Sequence, residues 1–162
     1  MRRVINLLYI AYGSNLNLYQ MARRCPTAKV VADSKLQDYE LLFRGINGSA
    51  VATIEPKEGA SVPVLLWDIR KKDERALDVY EGWPSLYRKE VMPVRLGGME
   101  RPGMVYVMNE GRHFGKPGLY YLQIIRQGYR DAGFDLRYLD RAAERSALLA
   151  PKREPQIKFE LW

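Results

Sequence analysis

Histidine and cysteine are almost absent from this sequence of 162 residues, which contains one of each, His113 and Cys25. A single cysteine cannot form a disulfide within the chain, and the usual zinc sites need several His or Cys ligands. A Ser–His–Asp triad would have to use His113, and no Gly-x-Ser-x-Gly segment is present to expose a serine. We therefore expect neither a metal site nor a serine-hydrolase site.

Phosphate-binding loops and long apolar runs are missing as well. The sequence has no Gly-x-x-x-x-Gly-Lys loop and no dinucleotide-binding fingerprint, so we expect no cofactor. No window holds 18 uninterrupted apolar residues, and the apolar run that starts at Val4 is broken by Asn6 without a small-residue cleavage site after it. Together with the single cysteine, these absences predict a cytoplasmic protein that does not interact with a membrane.

The size and composition are those of an ordinary globular domain. The chain has a mass of 18.8 kDa, with 47% hydrophobic and 28% charged residues, which excludes a disordered or collagen-like chain. We expect one domain over residues 1–150. Residues 151–162 form a mixed-charge tail that contains Phe159 and Trp162. We expect this tail to pack on the body of the protein or on a second subunit, as in a homodimer.

Positive charge is concentrated at the start of the chain. The net charge is +7, and the first 30 residues have no acidic residue but five basic ones: Arg2, Arg3, Arg23, Arg24 and Lys29. One interpretation is a solvated basic face. The other is a positive potential close to a binding site for an anionic ligand. Nucleic acid is not expected as a partner, because the sequence has no zinc spacing, no strand with paired aromatic residues and no basic helix.

The apolar periodicity predicts an α+β fold. Branched and aromatic runs predict short strands over residues 4–12, 29–32, 37–43, 50–54, 62–69, 87–94 and 104–108. Helices are predicted over residues 16–24, 71–80, 117–132 and 135–149, with Gly82 as a helix stop and Gly97-Gly98 as a turn. The alternation is too irregular for a doubly wound fold, so we expect a small mixed sheet or β-barrel with flanking helices.

The first motif that can support chemistry is Tyr12-Gly13-Ser14-Asn15-Leu16, between a buried strand and a helix. Backbone amides at the start of a helix lack intrahelical partners and carry the positive end of the helix dipole, so they suit an anion or a developing oxyanion. Gly13 would allow a ligand to approach the backbone, and we expect Ser14 or Asn15 to cap the helix. The alternative interpretation is a capped strand–helix turn with no ligand.

The second motif is Tyr80-Glu81-Gly82-Trp83-Pro84-Ser85-Leu86-Tyr87. A glutamate at a helix C-terminus is disfavoured by the helix dipole. Burial among Tyr80, Trp83 and Tyr87 would raise the pKa of Glu81 and make it a proton acceptor near neutral pH. The alternative is an exposed glutamate beside a hydrophobic cluster.

The order of these motifs resembles the gamma-glutamylcyclotransferase-like family, which includes AIG2-like and butirosin-pathway cyclotransferase proteins. The resemblance rests on the Tyr-Gly-Ser-Asn segment, the Glu81-Gly82 pair, the strand over residues 104–108 and the helix over residues 117–128. It covers about residues 7–133, so the helix over residues 135–149 and the tail lie beyond it. It implies a small mixed barrel surrounded by helices, with a cavity between the first strand–helix junction and the glutamate.

The resemblance also implies residue roles. It makes Glu81 the acid/base, matches the binding loop to Tyr12, Gly13, Ser14, Asn15 and Leu16, and matches pocket tyrosines to Tyr87, Tyr106 and Tyr121. The implied reaction is attack of the alpha-amino group of a gamma-glutamyl amide on its own side-chain carbonyl, which releases 5-oxoproline and an amine or amino acid. The loop amides would bind either the substrate's alpha-carboxylate or the oxyanion.

Other functions remain open at this level. The leaving group can be an amine, an amino acid or a biosynthetic intermediate with a glutamyl cap. A non-catalytic module that binds a small anion would use the same scaffold, although it would not need Glu81 as an acid/base. An interaction protein that uses the basic N-terminal face or the aromatic tail is a third class, for which no motif provides support.

Overall fold

A mixed five-stranded sheet forms the centre of the protein, whose computed structural model describes residues 4–152. The strand order is β2-β3-β1-β5-β4, and all neighbouring pairs are antiparallel except β1 and β5. The strands are β1 (Leu7–Ala11), β2 (Lys29–Arg44), β3 (Val51–Ile69), β4 (Tyr87–Leu96) and β5 (Met99–Met108). The helices are α1 (Leu18–Arg24), α2 (Lys71–Glu81), α3 (Leu119–Ala132) and α4 (Leu136–Leu149), and a 3-10 turn covers Ser14–Leu16.

The predicted α+β class is confirmed, but the predicted barrel is not closed. Among the described residues, no backbone ladder joins the two edge strands, β2 and β4. The two strands lie close together without a ladder, and the Ser34 hydroxyl of β2 donates a hydrogen bond to the carbonyl of Arg95 in β4 at 2.7 Å. A mixed sheet with flanking helices is therefore the better description.

Two pairs of predicted short strands are in fact two long ones. β2 joins residues 29–32 to 37–43, and β3 joins residues 50–54 to 62–69. The pairing shifts register between Gln37 and Tyr39, where Asp38 has a φ of 64° and its carboxylate accepts a hydrogen bond from the amide of Gly59. This bulge lies inside one of the predicted strands. The sequence pattern indicated separate strands because the residues between them, 33–36 in β2 and 55–61 in β3, are mostly polar and are not buried apart from Leu36.

Helix boundaries agree with the sequence where a glycine sets them. Gly82 has a φ of 65° and ends α2, and the amides of Gly82 and Trp83 bond to the last carbonyls of the helix. The predicted helix over residues 16–24 is instead a 3-10 turn followed by α1. Asn17 caps α1 by accepting a hydrogen bond from the amide of Gln20 at 2.9 Å. The expectation that Ser14 or Asn15 caps this helix is therefore wrong.

The remaining elements differ from the prediction only at their ends. β1 starts three residues later than predicted, and α3 starts two residues later. β4 and β5 extend to the predicted Gly97-Gly98 turn, where both glycines have positive φ. Within residues 4–152, no helix has the length and apolarity needed to cross a membrane. The predicted tail lies outside the described residues from residue 153 onwards, so its packing and the single-domain assignment stay predictions.

Close packing fixes the position of the 3-10 turn. β1 lies between β3 and β5 in the centre of the sheet, and its chain leaves the sheet after Ala11. α3 then packs directly on the turn: a Cβ atom at Gly128 would lie 2.6 Å from the Cβ of Leu16 and 2.9 Å from the amide nitrogen of Asn17. The Asn17 side chain also donates a hydrogen bond to the carbonyl of Ile124 at 3.1 Å. Only glycine allows this approach.

We predict that Gly128→Ala destabilises the protein, although alanine normally favours a helix over glycine by about 0.5–1 kcal/mol. The added methyl group would force α3 away from the turn, at a net cost of about 1–3 kcal/mol. Urea denaturation would measure this change in the free energy of unfolding. Gln123→Ala, on the exposed side of the same helix, is the control and should change little. Equal stability of Gly128→Ala and the wild type would contradict the close approach.

Candidate active site

A cavity of about 220 Å³ opens where β1 ends. Tyrosine is the most frequent residue in its wall, and none of its lining residues is Lys, Arg or His. The lining residues are Tyr9, Tyr12, Gly13, Ser14, Asn15, Val51, Ala52, Tyr80, Glu81, Leu86, Tyr87, Tyr106 and Tyr121. The structure thus brings Glu81 and the segment from Tyr12 to Asn15 to one cavity, although they lie more than 60 residues apart in the chain.

The 3-10 turn directs its side chains towards α2. The Ser14 hydroxyl forms a 2.8 Å hydrogen bond with the hydroxyl of Tyr80. The Asn15 side-chain amide donates to the hydroxyl of Tyr9 at 2.8 Å and to Oε1 of Glu81 at 3.3 Å. These side chains are therefore used across the cavity and not as helix caps.

Three backbone amides at the start of the turn have no hydrogen-bond partner among the described residues. Leu16 N–H donates to the carbonyl of Gly13 at 3.0 Å, so it is already used within the turn. Within residues 4–152, the amides of Gly13, Ser14 and Asn15 have no hydrogen-bond acceptor. The structure places Leu16 outside the cavity wall, where it is fully buried beneath α3. The expectation that Leu16 contacts a ligand is therefore not supported by its position.

Two tyrosine hydroxyls form hydrogen bonds with backbone groups of β3 beside the cavity. The amide of Ala52 donates to the hydroxyl of Tyr121 at 3.0 Å, and the carbonyl of Ala52 accepts from the hydroxyl of Tyr87 at 2.6 Å. A Cβ at Gly13 would lie 3.3 Å from the Cβ of Ala52, so the turn lies against the same residue. Burial raises the pKa of Tyr87 and Tyr121 above the ordinary value, which keeps both hydroxyls protonated.

Two further tyrosines connect the cavity to β5 and α2. Tyr12 donates from its hydroxyl to the carbonyl of Tyr106 at 2.6 Å, and Tyr106 donates to Oδ1 of Asp78 at 2.6 Å. The rings of Tyr9 and Tyr106 meet edge to face, with centroids 5.9 Å apart. The hydroxyl of Tyr106 is therefore engaged by Asp78, and Tyr106 contributes its aromatic ring to the cavity wall.

Glu81 is the acidic residue of the cavity wall. It is the last residue of α2 and is partly buried. Burial raises the pKa of Glu81 from 4.5 to about 7, and the positive charge of Arg24 opposes this rise. A carboxyl group with such a pKa can accept and return a proton near neutral pH.

Several residues at the site carried no clear signal in the sequence. Tyr9 is part of an apolar strand, and Val51 and Ala52 reach the cavity only because β3 passes behind the turn. Trp83, which was expected to surround Glu81, is 43% exposed, and its ring lies 4.1 Å from Nζ of Lys89. Within the described part of the chain, no group of three or more His, Cys, Asp or Glu side chains could hold a metal ion.

Comparisons with known proteins agree with this architecture. Residues 9–125 match the family model described as gamma-glutamyl cyclotransferase, AIG2-like. Gamma-glutamylcyclotransferase of Homo sapiens is 30% identical over 145 residues, which cover 84% of this chain and 77% of the human protein. The Bos taurus protein of the same name is 30% identical over 142 residues, which cover 82% of this chain and 75% of that protein. A solved structure of a gamma-glutamyl cyclotransferase superposes with a TM-score of 0.75 at 25% identity, covering 95% of this chain and 93% of that one.

These similarities first define the class of protein, an enzyme of the cyclotransferase type. The family model covers most of the chain, and the chain therefore belongs to the gamma-glutamyl cyclotransferase, AIG2-like family. The family resemblance in the sequence is thereby confirmed.

We predict that Glu81→Gln changes the pH dependence of stability. Since the pKa of Glu81 is raised in the folded state, that state holds the proton more tightly, and burial of the charged form costs free energy as the pH rises from 4.5 to about 7. The free energy of unfolding of Glu81→Gln, relative to wild type, should therefore increase by on the order of 2 kcal/mol across this interval.

Denaturation at a series of pH values would measure this difference. Glu58→Gln is the matched control, because Glu58 is exposed in β3 and loses little hydration on folding. A wild type and a Glu81→Gln variant with parallel pH profiles would contradict the raised pKa.

Proposed function

We propose that this enzyme cyclises gamma-glutamyl amides and releases 5-oxoproline. The observation that carries the proposal is the Glu81 carboxyl group, which burial holds at a pKa of about 7 in the same cavity wall as Gly13, Ser14 and Asn15. The named relatives are gamma-glutamylcyclotransferases, which supports the same substrate class.

The reaction needs one base, which then becomes an acid. Glu81 accepts a proton from the substrate's alpha-ammonium group, and the freed amine attacks the side-chain carbonyl. This attack makes the ring C–N bond and a tetrahedral oxyanion, and the ring nitrogen then carries one surplus proton. The oxyanion re-forms the carbonyl as the bond to the leaving nitrogen breaks and Glu81 returns its proton to that nitrogen. The released amine takes up the surplus ring proton and leaves as an ammonium group. The products are 5-oxoproline and a free amine or amino acid, and no water is consumed.

An ordinary glutamate would be too weak a base for the first step. A carboxyl group with a pKa of 4.5 transfers protons poorly to and from an amine, whereas a pKa of about 7 lies near the working pH. Burial among tyrosines is the physical cause of this change, so the same wall that shapes the cavity also makes the base competent.

The cavity can bind the anionic part of the substrate without a cation in its wall. The amides of Gly13, Ser14 and Asn15 would donate hydrogen bonds to the alpha-carboxylate or to the oxyanion. The cavity is smaller than the roughly 300–1,000 Å³ of typical ligand pockets, which suits one glutamyl group with the leaving group outside. Since nucleophile and carbonyl belong to one molecule, holding the folded conformer supplies much of the acceleration.

We predict that Glu81→Gln retains the fold but reduces 5-oxoproline release by roughly 10²–10⁴-fold, because the amide cannot accept the ammonium proton. A panel of gamma-glutamyl amino acids and gamma-glutamyl amines, assayed for 5-oxoproline, would measure the effect and identify the leaving group.

The exposed-site variant Glu58→Gln should retain wild-type turnover in the same assay. Wild-type turnover by Glu81→Gln would contradict the acid/base role. Binding of these compounds by the wild type without release of 5-oxoproline would instead support a non-catalytic anion-binding module.

We predict that Tyr121→Phe lowers kcat/KM by about fivefold or more, equivalent to about 1 kcal/mol or somewhat more. The Tyr121 hydroxyl accepts from the amide of Ala52, and its own proton has no acceptor within residues 4–152, so it is free to bind substrate oxygen. Tyr138→Phe is the control, since that hydroxyl accepts from the amide of Leu41 at 3.4 Å outside the cavity. Unchanged kinetics in Tyr121→Phe would remove Tyr121 from the site.

A further inference from the structure

The guanidinium group of Arg24 is fixed on three sides next to the cavity. Arg24 is the last residue of α1 and is partly buried. Its Cζ lies 3.3 Å from the ring centroid of Tyr80, Nη1–H donates to Oδ1 of Asn15, and Nη2–H donates to Oε1 of Gln20 at 3.1 Å. The reaction described above gives this side chain no role.

The contact with Arg24 determines which way the Asn15 amide faces. A guanidinium has only donors, so the Asn15 atom that faces it must be the oxygen. The NH₂ group must then face the opposite way, where it donates to the hydroxyl of Tyr9 and to Oε1 of Glu81. A donor at this position stabilises the ionised carboxylate, whereas a flipped amide would present its oxygen and favour the protonated acid.

We propose that Arg24 is a positioning residue for Glu81, because its guanidinium holds the Asn15 amide with the NH₂ group towards the carboxylate. Arg24 does not touch the substrate in this arrangement and acts through Asn15. The proposal deepens the cyclotransferase function proposed above, and its kinetic consequences rest on that function.

The charge of Arg24 acts in the same direction as the hydrogen bond. It lowers the pKa of Glu81 against the effect of burial. Apart from Glu81, the titratable groups in the cavity wall are the phenols of β1 and its end, α2, β4, β5 and α3, namely Tyr9, Tyr12, Tyr80, Tyr87, Tyr106 and Tyr121. Arg24 is thus the cation that keeps this carboxyl able to ionise near neutral pH.

The test compares Arg24→Met with Arg23→Met. Both variants remove one positive charge from the end of α1, but Arg23 is exposed and contacts Tyr19 instead of Asn15. Two quantities would be measured in each protein: the titration midpoint of the Glu81 carboxyl carbon by NMR, and the pH profile of kcat/KM for 5-oxoproline release.

Arg24→Met should raise the titration midpoint of Glu81 by about one unit. As a result, kcat/KM relative to wild type should fall about tenfold at a pH below the wild-type midpoint, and the deficit should shrink as the pH rises. Arg23→Met should match the wild type in both measurements.

A midpoint and a profile in Arg24→Met equal to those of Arg23→Met would overturn the proposal. A loss of activity that is equal at every pH, with an unchanged midpoint, would show a merely structural role and would overturn it too.

Arg24→Lys separates charge from orientation and decides the question if Arg24→Met does not fold. Lysine keeps the positive charge but lacks the planar fork that serves Tyr80, Asn15 and Gln20 together. We expect a Glu81 midpoint above that of the wild type but raised less than in Arg24→Met, because the charge stays while the Asn15 amide is no longer held. We also expect a several-fold lower kcat and little change in KM. A wild-type kcat would overturn the proposal. If the wild type itself releases no 5-oxoproline, the proposed function fails, while the titration midpoints still decide the role of Arg24.

Discussion

The carboxyl group of Glu81 lies at the end of α2 in a tyrosine-lined wall, and its burial there removes much of the water that would hydrate a negative charge. The result is a carboxyl group with a pKa of about 7. Two contacts limit the cost of ionisation: a hydrogen bond from Asn15 and the charge of Arg24. The balance between burial and these contacts sets the base strength on which the proposed chemistry depends.

The fold serves this balance by bringing distant segments to the end of β1. Gly128 lets α3 lie directly on the 3-10 turn, which holds Asn15 towards α2. The open edge of β3 at Ala52 is closed by hydroxyls from β4 and α3 instead of by another strand. The tyrosines that satisfy the hydrogen-bonding groups of Ala52 therefore also line the cavity. The same contacts hold the sheet together and shape the site.

The sequence predicted the turns and helix ends that depend on the conformational preference of a single residue. Gly82 as a helix stop, the Gly97-Gly98 turn and the strand–helix junction at Gly13 all depend on a residue's own backbone preferences. The sequence does not show that Asn17 caps α1, because Ser14 and Asn17 have similar capping ability and only tertiary contacts decide between them. Residues such as Ala52 join the site through strand pairing and helix packing over long sequence separations, which no short pattern records.

The central claim is that Glu81 and the amides of Gly13, Ser14 and Asn15 hold one small molecule between them. A crystal structure of the protein with 5-oxoproline tests this most directly. The account predicts that the ring lies in the cavity with its nitrogen within hydrogen-bonding distance of Glu81 and one of its oxygens on the turn amides. Product bound elsewhere, or bound in the cavity without contact to Glu81, would contradict it.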